Sequence, residues 1–368
     1  MMKYVADDIH ACIGFSVFPG IGPIRFGQLL SFFGTPSKAY NATEADLKTL
    51  GMRSELFVAF DTFRRVFSPE TYEKKCRELG VSLIHREHEA YPSRLKTIYD
   101  PPIILYVKGM TEILTHPHPI AVVGTRRSSS YGELMTKKIC EGLLSFGCVI
   151  VSGMAYGIDA VAHKTAIENC GKTIIVLGCG VDIIAPPSNR YIYETVLEKN
   201  CGVIISEMPL GMRPDKRLFP ARNRIVSGLS EATLVTEGPE LSGAMITARC
   251  AAEQGRDVFA VPGPVTLPGS HGTSLLIKNG AILTQSAQDI ADELHLIPSI
   301  SPHPDADTYT GKTEEELSII TALGNGPKHI DELVVTTQMP SSIVNATVTI
   351  LEIGGIIRDS GGKVYVLR

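Results

Sequence analysis

The alternation of apolar and polar positions changes character three times along the chain. Up to about residue 80 apolar residues recur at helical spacing in short segments, with Pro19-Gly20-Ile21-Gly22-Pro23 leading into an amphipathic run through Leu30 and a weaker copy of the turn at Leu50-Gly51-Met52. From about 100 to 295 the pattern becomes short, β-branched runs: Ile103–Val107, Ile120–Val123, Val149–Val151, Thr173–Leu177, Val203–Ile205, Ala232–Val235 and Val258–Val261. These are too short for helices and too continuous for strands with one wet face, which is how the buried strands of a parallel sheet read. Helical periods at Tyr131–Phe146, Ile158–Asn169, Tyr191–Glu198 and Ala244–Gln254 lie between them, so the chain predicts an α/β, doubly wound, Rossmann-like sheet.

A proline-dotted stretch, Ile297-Pro298-Ser299-Ile300-Ser301-Pro302-His303-Pro304-Asp305, reads as a linker. Helices are expected beyond it at about 313–323, 329–336 and 341–353, with two strands around Asp359-Ser360-Gly361-Gly362, the layout of a small winged helix. The expected boundaries are 1–85 for a helical domain, 86–296 for the sheet domain, 297–312 for the linker and 313–368 for the winged helix. The would-be recognition helix Ser341–Ile353 contains no Lys or Arg, which predicts a protein-contact module over a DNA reader.

Composition narrows the function. With 35 basic and 39 acidic side chains in 368 residues the chain has no global attraction to nucleic acid, so any such binding must come from a local patch. Eight cysteines without a CxxC pair read as reduced core residues, neither a disulfide frame nor a zinc site. No signal-peptide layout and no membrane-length apolar run is present, which predicts a soluble, cytoplasmic protein with no membrane partner.

Positive charge is concentrated between Arg213 and Arg224, where Arg213, Lys216, Arg217, Arg222 and Arg224 face the single acid Asp215. Phe219-Pro220-Ala221-Arg222-Asn223-Arg224-Ile225 reads as a helix start, where unpaired N–H groups and the dipole already favour an anion, and Phe219 offers a plate for a base. The competing reading is a solvated loop whose arginines pair with acids elsewhere. After Val123, the loop Gly124-Thr125-Arg126-Arg127-Ser128-Ser129-Ser130 supplies three serines and two arginines where helix capping needs one serine, which predicts phosphate binding. The small residues of Ser152-Gly153-Met154-Ala155 and of Ser242-Gly243-Ala244 let a ligand approach the backbone.

Other features read as structural. Gly20-Ile21-Gly22 is taken first as a tight interhelical turn that uses glycine for φ > 0, ahead of a helix-hairpin-helix contact with DNA phosphate. Asp159 and His163, four apart, are expected to be a dipole-favoured acid and a packed histidine, since no third ligand completes a metal site. Gly178-Cys179-Gly180 lacks the third glycine of a dinucleotide fingerprint, and Gly171-Lys172-Thr173 has Ala166 where a P-loop needs glycine. No cofactor is therefore expected, and the absence of a nucleophile elbow or paired metal-binding carboxylates predicts a binding protein and not an enzyme.

At these residues the chain resembles the DprA/Smf family, the DNA-processing proteins of natural transformation. The likeness is carried by Gly124-Thr125-Arg126…Ser129…Tyr131-Gly132, Ser152-Gly153…Gly157-Ile158-Asp159…Ala162-His163, Phe219-Pro220…Arg222-Asn223-Arg224-Ile225, Ser242-Gly243…Thr247-Ala248 and Val258-Phe259-Ala260-Val261-Pro262-Gly263. The resemblance implies an N-terminal helical (SAM-like) domain, an extended Rossmann domain and a C-terminal winged helix. It implies a homodimer that binds single-stranded DNA without sequence preference, resists displacement by single-strand-binding protein and loads RecA. Its DNA pocket would use Arg126, Ser152 and Gly153, Lys216, Arg224, and Ser242 with Gly243, to which the residue-level reading adds Gly124, Thr125, Ser129, Phe219, Arg222 and Asn223. Ala185, Gly238-Pro239 and Ala244 depart from the family's usual tyrosine, alanine-led continuation and serine, the last two beside Ser242. The alternative is a nucleotide phosphoribohydrolase on a related fold, although Gly238-Pro239-Glu240-Leu241-Ser242-Gly243 stands where those enzymes carry Pro-Gly-Gly-x-Gly-Thr.

Overall fold

A computed structural model describes residues 4–215, 217–297, 313–324, 326–354, 356–359 and 362–367. Lys216 and, apart from Ile297, the expected linker lie outside the described residues. Two compact units result, divided between residues 298 and 299.

The first unit is built on nine strands: β1 (Ser82–His85), β2 (Ile104–Gly109), β3 (Pro119–Val123), β4 (Val149–Ser152), β5 (Thr173–Leu177), β6 (Gly202–Ser206), β7 (Ala232–Val235), β8 (Asp257–Ala260) and β9 (Ile282–Leu283). Their order is β1-β2-β6-β5-β4-β3-β7-β8-β9. The seven strands from β6 to β9 run parallel, and β1 and β2 form an antiparallel hairpin on the β6 edge, with Tyr106 opposite Ser206. β3, β4, β5 and β7 are buried along their whole length, as continuous apolar runs require when helices cover both faces.

Alternate strand residues enter different cores. Ala121, Val123, Val151, Val176 and Val235 pack against Ile225, Val226 and Leu229 of the helix Leu218–Leu229 and against Ala244 and Ala248 of the helix Gly243–Glu253. Their neighbours Ile120, Val122, Ile150 and Leu234 pack against Ile139 and Leu143 of the helix Ser130–Ser145 and against Ala162 and Ala166 of the helix Ile158–Glu168. Period-two alternation thus sends each strand's side chains to two helical layers.

The N-terminal helices, Ala6–Val17 through Pro69–Glu78, share one apolar cluster with Ile104 and Tyr106 of β2, Ile175 of β5 and Ile204 of β6. They end before β1, so Ser82–His85 already belongs to the sheet. The Gly20-Ile21-Gly22 turn forms, but for a different reason than φ > 0, which neither glycine adopts. Gly20 is needed for space, since a Cβ there would overlap the Leu56 side chain. Five of the unit's eight cysteines are buried free thiols and Cys201 and Cys250 are half-buried; Cys170 is the exposed exception to the core expectation.

The second unit matches the winged-helix expectation closely. Helices Glu314–Gly324, Ile330–Thr337 and Ser341–Ile353 enclose Ile319, Leu333, Val344, Val348 and Leu351. The strands Ile357–Asp359 and Val364–Leu367 pair antiparallel, and a short strand, Lys328–His329, adds a third that the apolar pattern did not announce.

Candidate functional site

The strand order reverses at β3: β4, β5 and β6 extend to one side, β7 and β8 to the other. Helices leaving β3 and β7 therefore diverge, and a crevice opens at the C-terminal ends of the strands. A cleft of about 520 Å³ occupies it, walled by Gly124–Arg127 after β3, by Gly153 and Ala155 after β4, by the first turns of Leu218–Leu229, and by Ser242–Thr247.

A buried cation forms its floor. Arg222 is 6% exposed, and its Nη1 donates to the Val176 carbonyl at 2.6 Å while Nε donates to Asn223 Oδ1 at 3.2 Å. The guanidinium occupies the space over Gly153, where any Cβ would overlap it. Asp159 accepts from the Gly153 and Ala155 N–H groups at 3.2 and 3.3 Å beneath the same cation. Burial pushes the Asp159 carboxyl above the ordinary range, and Arg222 and the two N–H donors pull it back. The Arg222 guanidinium is in turn lowered by its burial and raised by Asp159.

His163, expected to be a packed histidine, is fully buried with Nδ1 2.7 Å from Thr173 Oγ1. Burial and then Arg222 drive its pKa down to about 3, so it is neutral. Asp159 thus serves the floor of the cleft, and His163 is a packed, neutral ring.

The rim is aromatic and basic. The Arg126 guanidinium lies 4.9 Å from the centroid of the Phe219 ring, and that ring packs against Gly178, where a Cβ would stand 3.4 Å from Cδ1. Across the cleft Ser242 stands at the N-cap position of the helix Gly243–Glu253 without a side-chain capping bond, its Oγ enclosed and without a partner among the described residues. Asn223 Nδ2 donates to the Gly243 carbonyl at 3.2 Å, and Gly243 has open space where a side chain would be.

Of the residues singled out in the sequence, Gly124, Thr125, Arg126, Gly153, Phe219, Arg222, Asn223, Ser242 and Gly243 meet at this cleft. Three do not. Ser152 is fully buried and its Oγ donates to the Val122 carbonyl at 2.7 Å, so it ties β4 to β3. Ser129 caps its own helix, its Oγ accepting from Gly132 N–H at 3.1 Å, and Ser128 is held by Glu133 at 2.6 Å, so the serine loop is spent largely on local bonds. Arg224 faces away from the cleft, with Nη2 2.6 Å from Glu207 and Nε 3.0 Å from Asp100. The acids are supplied from elsewhere, as in the competing reading of the basic cluster, but Arg224 is buried within a helix and not on a solvated loop. Glu237, which sequence reasoning left without a role, sits just past β7 at the reversal point and accepts from the Ser129 N–H at 2.9 Å. An acid immediately after a buried strand was the available signal.

Residues 82–295 match the family described as DNA recombination-mediator protein A. The chain belongs to the DprA/Smf family. Residues 302–363 match the DprA winged helix domain, in agreement with the C-terminal unit. Among DprA/Smf relatives, Protein Smf of Synechocystis is 31% identical over 97% of this chain and 98% of its own length, and Protein Smf of Escherichia coli K12 is 38% identical over 78% and 77%. The solved DNA processing protein A of Streptococcus pneumoniae superposes with a TM-score of 0.68 at 32% identity, covering 79% of this chain and 99% of that one. That of Helicobacter pylori, solved for its unique single-stranded DNA binding mode, gives 0.52 at 31% identity over 58% and 95%. Among the described residues of this DprA/Smf member no helix is long and apolar enough to cross a membrane.

Proposed function

We propose that the cleft at the β3/β7 reversal binds single-stranded DNA without sequence preference, and that the chain is a recombination mediator that shields incoming strands and loads RecA. The observation that carries this reading is the Arg126–Phe219 pair at the rim, which places a phosphate-binding cation and a base-stacking plate side by side. The open approach to Gly243, at the start of the helix Gly243–Glu253, adds a backbone donor on the opposite wall. The name under which the Helicobacter pylori neighbour was solved supports the choice of ligand. The RecA contact, resistance to single-strand-binding protein and the homodimer rest on the family likeness alone, and the cytoplasmic location on the sequence pattern alone.

A role in binding without bond cleavage fits the lining. Asp159 is the carboxylate among the cleft's lining residues, and it is committed to two backbone N–H groups and to Arg222. Fluorescence anisotropy with a labelled oligothymidine, beside a duplex of the same length and an assay for free base from AMP and CMP, tests the proposal. Binding confined to the single strand, with no base released, is expected. Equal affinity for duplex, or release of base, refutes it.

A further inference from the structure

The first turn of the helix Ser130–Ser145 is where a fold of this topology receives a ligand phosphate, because it follows the strand beside the crevice and its N–H groups point outward. In this chain that turn already faces an anion of the chain's own. Glu237 is 6% exposed, and its Oε2 accepts from the Ser129 N–H at 2.9 Å. Its main-chain carbonyl accepts from the Thr125 N–H at 2.7 Å. One residue therefore holds both ends of the loop that carries Arg126.

Two glycines make the room. A Cβ at Gly132, in that first helical turn, would overlap Oε2, and a Cβ at Gly269 would overlap Oε1. Gly238 N–H donates to the Gly269 carbonyl at 2.7 Å and Gly272 N–H to the Gly238 carbonyl at 3.0 Å, which closes the loop after β8 over the carboxylate. The carboxylate fills the space between Gly132 and Gly269, so it and a ligand phosphate cannot both occupy it.

We propose that the Glu237 carboxylate is a built-in anion for this helix turn, fixing the Arg126 loop for ligand binding and barring a mononucleotide phosphate from the turn. Glu237 is then a positioning residue, and a ligand phosphate is directed to the opposite wall at Ser242 and Gly243. The ligand part of this inference rests on the function proposed above. The anion part does not.

The test uses the full-length chain and two variants. Glu237→Ala removes the carboxylate and leaves an anion-sized gap, while Glu237→Gln keeps an acceptor for Ser129 but not the charge. In Glu237→Ala, oligothymidine affinity is expected to fall on the order of tenfold, and inorganic phosphate or formate, at ionic strength matched with chloride, to restore both affinity and thermal midpoint. The wild-type midpoint is expected to be indifferent to the same anions. Glu237→Gln is expected to lose midpoint and affinity without rescue, since the gap stays filled. Unchanged oligothymidine affinity in Glu237→Gln overturns the inference, as does a folded Glu237→Ala whose midpoint no small anion raises. If the wild type binds no oligothymidine, the proposed function fails, and the midpoint arm still decides the role of Glu237.

Discussion

Replacing Gly153 by alanine puts the floor of the cleft to the sharpest trial. The new Cβ would overlap Nη1, Nη2 and Cζ of Arg222 together, so small adjustments cannot relieve it. Arg222 is held by the Val176 carbonyl and by Asn223, and the Gly153 N–H is itself bonded to Asp159. Overpacking alone costs about 1–3 kcal/mol. If the guanidinium is expelled, Asp159 is left buried without its cation, a loss of about 3–5 kcal/mol. The two bounds meet at about 3 kcal/mol. Urea unfolding followed by circular dichroism would show a lower midpoint at unchanged slope for the larger unit. In an Arg222→Ala background the obstacle is gone, so the penalty of Gly153→Ala is expected to shrink by about 1 kcal/mol or more. A wild-type midpoint in Gly153→Ala, or the same penalty in both backgrounds, would refute the placement of Arg222. Gly243→Ala is the control, since nothing lies within contact there and its fold is expected to survive.

Five further outcomes are expected. Arg126→Ala should flatten the log–log salt dependence of oligothymidine binding by about 0.7, and Phe219→Ala should cost about 1–3 kcal/mol of affinity, both read by anisotropy titration. Arg224→Ala should instead destabilise the fold by about 3–5 kcal/mol in urea, because it strands Glu207 and Asp100, while a folded fraction keeps the wild-type salt slope. His163 binds its proton far more weakly folded, at about 3, than at its ordinary 6.5, so its contribution is complete above 6.5 and is lost as pH falls toward 3. Across that window His163→Gln should remove about 1.4 kcal/mol per pH unit from the acid-side slope of stability. Truncation within 298–312 should leave single-strand affinity within about tenfold by gel shift, since residues 313–368 carry Lys328, Arg358, Lys363 and Arg368 against seven acids.

Much of the sheet was legible because buried strands must be continuous apolar runs, and every run read as a strand became one. β1 and β9 escaped notice for the converse reason: Ser82–His85 lies at an edge with one exposed end, and Ile282–Leu283 is two residues long and poorly buried. The site was legible wherever its chemistry is local, as at Phe219 beside Arg222 or Ser242 beside Gly243. It was illegible where a partner is supplied by topology. Nothing near Arg224 in the chain shows that Asp100 and Glu207, 124 and 17 residues earlier, will close on it. Nor does the serine run reveal that Glu133 and Gly132 claim its side chains before any ligand could.

Arg126 resting on Phe219 has a thermodynamic corollary. A base that stacks on the ring face Arg126 covers does not gain a bare surface; it displaces a guanidinium worth about 0.5–1 kcal/mol at an exposed site. Binding there is an exchange, in which the ring passes from one partner to another while the freed cation swings to the incoming phosphate. The two side chains are then a thermodynamic couple, and their single substitutions should not add. Removing the arginine strips a phosphate contact but also uncovers the plate, so Arg126→Ala should read as milder, and the double variant as worse than the sum, than two independent contacts would give.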